Sequence, residues 1–150
     1  MNLLDFYKKY FNTIIVFSPT LKSDDKWEYV KKQHLLSENK AIKKLFKKKQ
    51  NPVTGEEKEE EEAFDPRIPD EMMMDEYNEG TLAELMEEQM NTIKKLKNNE
   101  ISKHSANRIL MVFDDLVGSS LFSAKKDNPF KKLNIGHRHY SVSILMVTQA

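Results

Sequence analysis

Apolar positions in this chain are densest in three short stretches, separated by segments in which they recur every three or four residues. Residues 13–17 (Thr-Ile-Ile-Val-Phe), 109–113 (Ile-Leu-Met-Val-Phe) and 141–149 (Ser-Val-Ser-Ile-Leu-Met-Val-Thr-Gln) are the stretches. Continuous apolar stretches of this length, rich in β-branched and large side chains, predict strands buried on both faces of a parallel sheet. Ser18-Pro19 stops the first, because proline cannot continue a central strand.

Between the runs the spacing is helical. Leu3, Leu4, Tyr7 and Phe11 predict a short helix over 2–11. Asp24 and Asp25 suit the cap of a helix beginning near Lys26, with Trp27, Val30 and Leu35 as its apolar contacts. Ala41, Ile42, Leu45 and Phe46 mark a lysine-rich helix over 38–49. Thr81-Leu-Ala-Glu84 is a capping-box pattern. Leu82, Leu85, Met86, Met90, Ile93 and Leu96 then share one face, the methionines as core packing. A loop or short helix follows Gly118, and 125–129 is a further loop. The order helix, strand, helices, strand, helix or loop, strand predicts an α/β fold with about three parallel strands and right-handed crossovers. The polar strand ends Ser18-Pro19-Thr20, Asp114-Asp115 and Thr148-Gln149 then converge on one edge, where open α/β sheets bind ligands.

Charge changes the picture of the middle of the chain. The 150 residues carry 24 basic and 24 acidic side chains, but residues 1–50 are net +7, 51–90 net −13 and 91–150 net +6. Residues 50–62 (QNPVTGEEKEEEE) are low-complexity and acidic, and Pro66 and Pro69 follow. One domain with a disordered acidic insert at about 50–80 is the expected organisation. Basic flanks leave two readings open, a nucleic-acid surface or a solvated insert whose acids satisfy nearby lysines. With no cysteine, no zinc-like histidine spacing and no apolar run of membrane-spanning length, disulfide, zinc and transmembrane classes drop out. Asp5, Lys8 and Lys9 interrupt any signal-peptide core, so a soluble intracellular chain, cytoplasmic or nuclear, is expected.

The chemistry lies at 107–118 (NRILMVFDDLVG). Two aspartates at the end of a buried strand suit a Walker B element, one carboxylate for Mg²⁺ and the next for an attacking water. Aspartates after a strand also suit a turn or helix cap. No Gly-x-x-x-x-Gly-Lys-Ser/Thr phosphate loop occurs in the sequence.

Together, IIVFSPTLKSDDKW, RILMVFDDLVG and GHRHYSVSILMVTQ resemble the P-loop ATPases that package DNA in poxviruses and other large DNA viruses, a branch of the FtsK–HerA-like motors. The resemblance covers about residues 2–30 and 107–149 and leaves the charged middle unmatched. It implies a partial P-loop NTPase core, from a homo-oligomeric ring that couples ATP hydrolysis to translocation of double-stranded DNA. Asp114 matches the residue that holds Mg²⁺ through water, and Asp115 the position that polarises the attacking water. Aspartate is one methylene shorter than the glutamate found there in many relatives. Gln149 matches the polar sensor after the next strand. Arg138 matches a candidate arginine finger acting across a subunit interface, with a surface salt bridge or DNA-phosphate contact as the alternative. His137 and His139 are expected to be packing or surface residues.

The chain departs from the family where Met1-Asn-Leu-Leu stands at the place of the residues following the phosphate loop. Without that loop a triphosphate has no cradle, so no productive ATP hydrolysis is expected. In the family's sheet the phosphate-loop strand lies beside the strand ending at Gln149, so 141–148 is expected to be an apolar unpaired edge, with low stability and solubility. A fragment of a DNA-translocating ATPase is one functional expectation. A degenerate, non-enzymatic interaction or nucleic-acid-binding remnant is the other.

Overall fold

Two of the apolar runs pair with each other at the centre of a parallel sheet. The computed structural model describes residues 3–38, 63–103 and 106–148. Among them, α1 (Leu3–Phe6), β1 (Thr13–Phe17), α2 (Asp25–Lys32), β2 (Met73–Met74), α3 (Glu79–Lys97), β3 (Ile109–Asp114), α4 (Pro129–Gly136) and β4 (Val142–Val147) follow in chain order. Single 3₁₀ turns at Asp70–Met72, Ser120–Phe122 and His137–Tyr140 lead into β2, α4 and β4. The sheet order is β2-β1-β3-β4, with every pairing parallel. The architecture is therefore α/β, with four described strands where the pattern predicts three.

Every residue of β1 and of β3 is buried, as two-sided burial requires. Thr13 pairs with Ile109 and Phe17 with Phe113, which brings the two strand ends level. On one face the Phe17 and Phe113 rings stack at 5.3 Å, and Phe130 of α4 meets Phe113 edge-on at 4.9 Å. Tyr77 closes this cluster against both strand rings.

The helix boundaries depart from the pattern in instructive ways. The helix predicted over 2–11 is only one turn long. Lys9 adopts φ 60° and its amide donates to the Leu35 carbonyl at 2.7 Å, which takes the chain out of helical geometry. Asp24 caps α2 as predicted, its side chain accepting from the Lys26 amide, and Trp27, Val30 and Leu35 are buried. The capping box at Thr81 is superseded by Asn78, whose side chain accepts from the Thr81 amide so that α3 starts at Glu79. Leu82 and Met86 are buried on its inner face, with Leu85 packed against the core. The expected loop at 125–129 holds as far as Asn128, whose buried side chain caps α4 with Pro129 in the first turn.

The acidic region also differs from expectation. Ile68 and Met72 are buried, and Met73–Met74 pair with Val16 and Phe17, so residues 63–80 belong to the fold. The acidic stretch 50–62 lies outside the described residues, as does the helix predicted over 38–49 apart from Glu38.

Strand β4 forms where the third run predicts it, but it is not buried. Only Val142 is inaccessible, and Met146 and Val147 are each 40% exposed. The cause is position. β4 pairs with β3 on one side, and no described strand lies on its other.

Candidate functional site

The polar ends of β1 and β3 meet around one carboxylate. Asp114, the last residue of β3, is 1% exposed, and its contacts among the described residues fall on a single oxygen, Oδ2. Ser18 Oγ donates to it at 2.8 Å. Thr20 Oγ1 lies at 3.5 Å and Lys26 Nζ at 3.2 Å. The register explains the meeting. Phe17 is level with Phe113, so the next residues, Ser18 and Asp114, leave the sheet side by side and on the same face. Ser18 remains tied to the sheet because its amide donates to the Met74 carbonyl of β2 at 2.9 Å.

Helix α2 supplies the rest of the wall. Its Trp27 is buried and donates through Nε1 to Thr20 Oγ1 at 3.2 Å, which fixes the hydroxyl that faces Asp114. Lys26 reaches over the same ring, 5.2 Å from its centroid, and its ammonium bridges Asp114 and Asp24, the latter at 3.0 Å. Partial burial works against the charge on Lys26. Hydrogen bonding and attraction from Asp24 and Asp114 outweigh it, so the lysine pKa rises. Bonds from the Lys26 amide and ammonium hold the Asp24 carboxyl below its ordinary range.

Asp115 is set apart from its neighbour. Its backbone lies in the left-handed region at φ 50°, which aspartate tolerates better than most residues. Its amide donates to the Val147 carbonyl at 3.0 Å and so extends the β3–β4 pairing by one step. The side chain is half-buried, while Asp114 is sealed in. The turn that follows ends at Gly118, whose φ of 86° only glycine adopts without strain.

The four site residues expected from sequence are not all brought together. Asp114 and Asp115 follow one another at the carboxyl end of β3, in different environments. Arg138 lies in the turn before β4 and is exposed. Val142 is level with Ile109 and Val147 with Asp114, so Arg138 is at the opposite end of the sheet, about 20 Å away by strand rise. Gln149 lies outside the described residues. His137 and His139 flank Arg138 in the same turn, half-buried and exposed respectively. Lys26 was legible only as the start of a helix and Trp27 only as a packing residue. Their place beside Asp114 depends on a contact between distant parts of the chain that local periodicity does not carry.

The donor set suits a hard cation better than a nucleotide. Carboxylate and hydroxyl oxygens are the ligands Mg²⁺ takes, directly or through water, and Asp114 Oδ1 has no protein partner among the described residues. Among those residues no group of three or more His, Cys, Asp or Glu side chains converges on a point. A Mg²⁺ here would therefore take most of its ligands from water or a bound anion, which is its usual habit. Among the described residues none accompanies it to cradle a triphosphate. The nearby N-terminus of α2 is already capped by the Asp24 carboxylate, and the sequence holds no phosphate loop.

No family model, no curated protein and no solved structure matches the chain. No helix among the described residues is long and apolar enough to cross a membrane.

Proposed function

We propose that this chain carries the metal-facing, Walker B half of a P-loop ATPase site, as part of a motor of the kind that packages double-stranded DNA in large DNA viruses. The observation that supports it most is the pair of carboxylates at the carboxyl end of a central parallel strand, with Asp114 buried under hydroxyls from the neighbouring strand end. In this reading Asp114 holds Mg²⁺ through water, with Ser18 and Thr20 orienting the carboxylate. The ion would supply positive charge against phosphate oxygens. Asp115, half-buried next to Asp114 in the chain, is proposed to polarise a water. Gln149, beyond Thr148, is the proposed sensor. Arg138 is proposed to serve a neighbouring subunit in a ring, because its own site lies at the other end of the sheet.

The chain does not fit the nucleotide itself, so it is proposed not to hydrolyse ATP alone. An ATPase assay with Mg²⁺, with and without double-stranded DNA, tests this. No turnover above background is expected from the 150-residue chain. Turnover that Asp115→Ala abolishes would contradict it.

A second reading, a non-enzymatic nucleic-acid-binding remnant, is favoured by a different surface. Phe6, Tyr7 and Tyr10 are exposed beside Lys8 and Lys9, and the Arg108 guanidinium lies 4.9 Å from the Tyr10 ring centroid. Exposed aromatics among cations suit base stacking and phosphate contact. Salt-sensitive DNA binding lost in Tyr10→Ala and kept in Asp114→Asn would favour this reading.

A further inference from the structure

We propose that Lys26 is a built-in counter-cation of Asp114, which a divalent metal must displace to enter the site. The inference rests on the reading of Asp114 as a cation-holding residue and adds how access to it is controlled.

The geometry sets up a competition. Lys26 Nζ lies 3.2 Å from Asp114 Oδ2 and 3.0 Å from Asp24 Oδ2, so one ammonium already neutralises part of the local negative charge. Asp115 adds a third carboxylate next in sequence. A divalent ion approaching Asp114 meets the ammonium at close range, and like charges a few ångströms apart repel strongly at a partly dried surface.

The lysine is also free to leave. Its backbone is anchored by the Asp24 cap on one side and by buried Trp27 on the other. The side chain beyond Cα is 42% exposed and runs over the indole face, so it can swing into solvent without disturbing core packing. The Ser18 hydrogen bond to the carboxylate does not depend on the lysine, and Thr20 lies 3.0 Å behind the Ser18 hydroxyl, which keeps Asp114 oriented for an incoming ion. A fixed backbone with a releasable charge is the arrangement a displaceable plug requires.

The test is a Mn²⁺ titration of the ¹⁵N-labelled chain, following paramagnetic broadening of the Asp114 and Asp115 amide signals. Lys26→Met and Lys26→Gln are expected to reach half-broadening at about tenfold lower Mn²⁺ than the wild-type chain. Lys26→Arg, which keeps the charge, is expected to stay near wild type. Thermal unfolding of each variant by circular dichroism shows whether the fold is retained, and the two neutral variants guard against a loss peculiar to either. Neutral variants that bind no tighter than wild type, with broadening still dependent on Asp114, would overturn the role of Lys26 alone. Broadening that survives in Lys26→Met/Asp114→Asn, or that is absent at these amides in every variant, would overturn the underlying reading together with it.

Discussion

Ser18 Oγ donates a 2.8 Å hydrogen bond to Asp114 Oδ2, joining the ends of two neighbouring strands that lie 96 positions apart in the chain. The bond is buried, so its loss leaves a carboxylate short of a donor that water cannot easily replace. Ser18→Ala is expected to destabilise the fold by about 1–3 kcal/mol. Urea denaturation should show a lower midpoint with an unchanged slope. An unshifted midpoint would mean that Asp114 is held by Lys26 and Thr20 alone.

Asn128 is a second buried polar anchor. Its Nδ2 donates to the Leu121 carbonyl at 2.8 Å and the Ser123 carbonyl at 3.1 Å, and its Oδ1 accepts from the Phe130 amide at 2.9 Å. One side chain therefore caps α4 and closes the turn before it. Asn128→Ala should cost about 3 kcal/mol, combining a lost cap with lost buried bonds. Asn128→Asp keeps the cap but not the donor, and should fall between. Chemical denaturation of the two variants checks the order.

Tyr77 gives the fold an alkaline limit. Its hydroxyl is buried with no hydrogen-bond partner among the described residues, and the backbone amide of Phe130, which favours ionisation, is already committed to Asn128. Burial, with the nearby Glu79 charge, pushes its pKa up to about 12 from an ordinary 10.0. The raised value means the folded state holds this proton more tightly than the unfolded chain does. The contribution is full below about pH 10 and is lost as pH rises through about 12. Tyr77→Phe should flatten that decline and leave stability at neutral pH unchanged or raised by up to about 1 kcal/mol, because an unsatisfied hydroxyl is removed. Denaturation midpoints between pH 8 and pH 12 read both effects.

The outer strand predicts self-association. Met146 and Val147 are each 40% exposed on β4, which has no described strand on its outer side and carries no lysine or proline within Val142–Val147. Such an edge accepts another strand readily. Met146→Lys should reduce concentration-dependent association in sedimentation velocity while shifting stability by no more than about 0.5 kcal/mol. Equal association of the two proteins would place the sticky surface elsewhere, with exposed Phe6 and Tyr10 the next surface to test.

What was legible in the sequence follows physical lines. β1 and β3 could be read because burial on both faces demands an unbroken apolar run, and both runs are unbroken. The same signal overstated β4, since apolarity shows what a side chain prefers and not whether a neighbour exists to cover it. β2 is two residues long, too short for any period to register, and its pairing with Val16 and Phe17 comes from distant contacts. The start of α3 was misplaced because two caps compete within a few residues, and Asn78 holds the Thr81 amide first. The carboxylates of the site were visible as a strand-end pair. Their different environments were not, because Asp114 turns inward under Ser18 while Asp115 enters a left-handed turn.

Localising a paramagnetic ion shows whether Asp114 and Asp115 form the proposed cation-facing part of a nucleotide site. The acidic stretch 56–62 will attract Mn²⁺ weakly, so position matters more than total binding. Amide signals of the ¹⁵N-labelled chain should broaden first at Ser18, Thr20, Asp114 and Asp115, and Asp114→Asn should remove that broadening while sparing any at 56–62. Broadening confined to the acidic stretch, or unchanged in Asp114→Asn, would mean that Asp114 holds no cation.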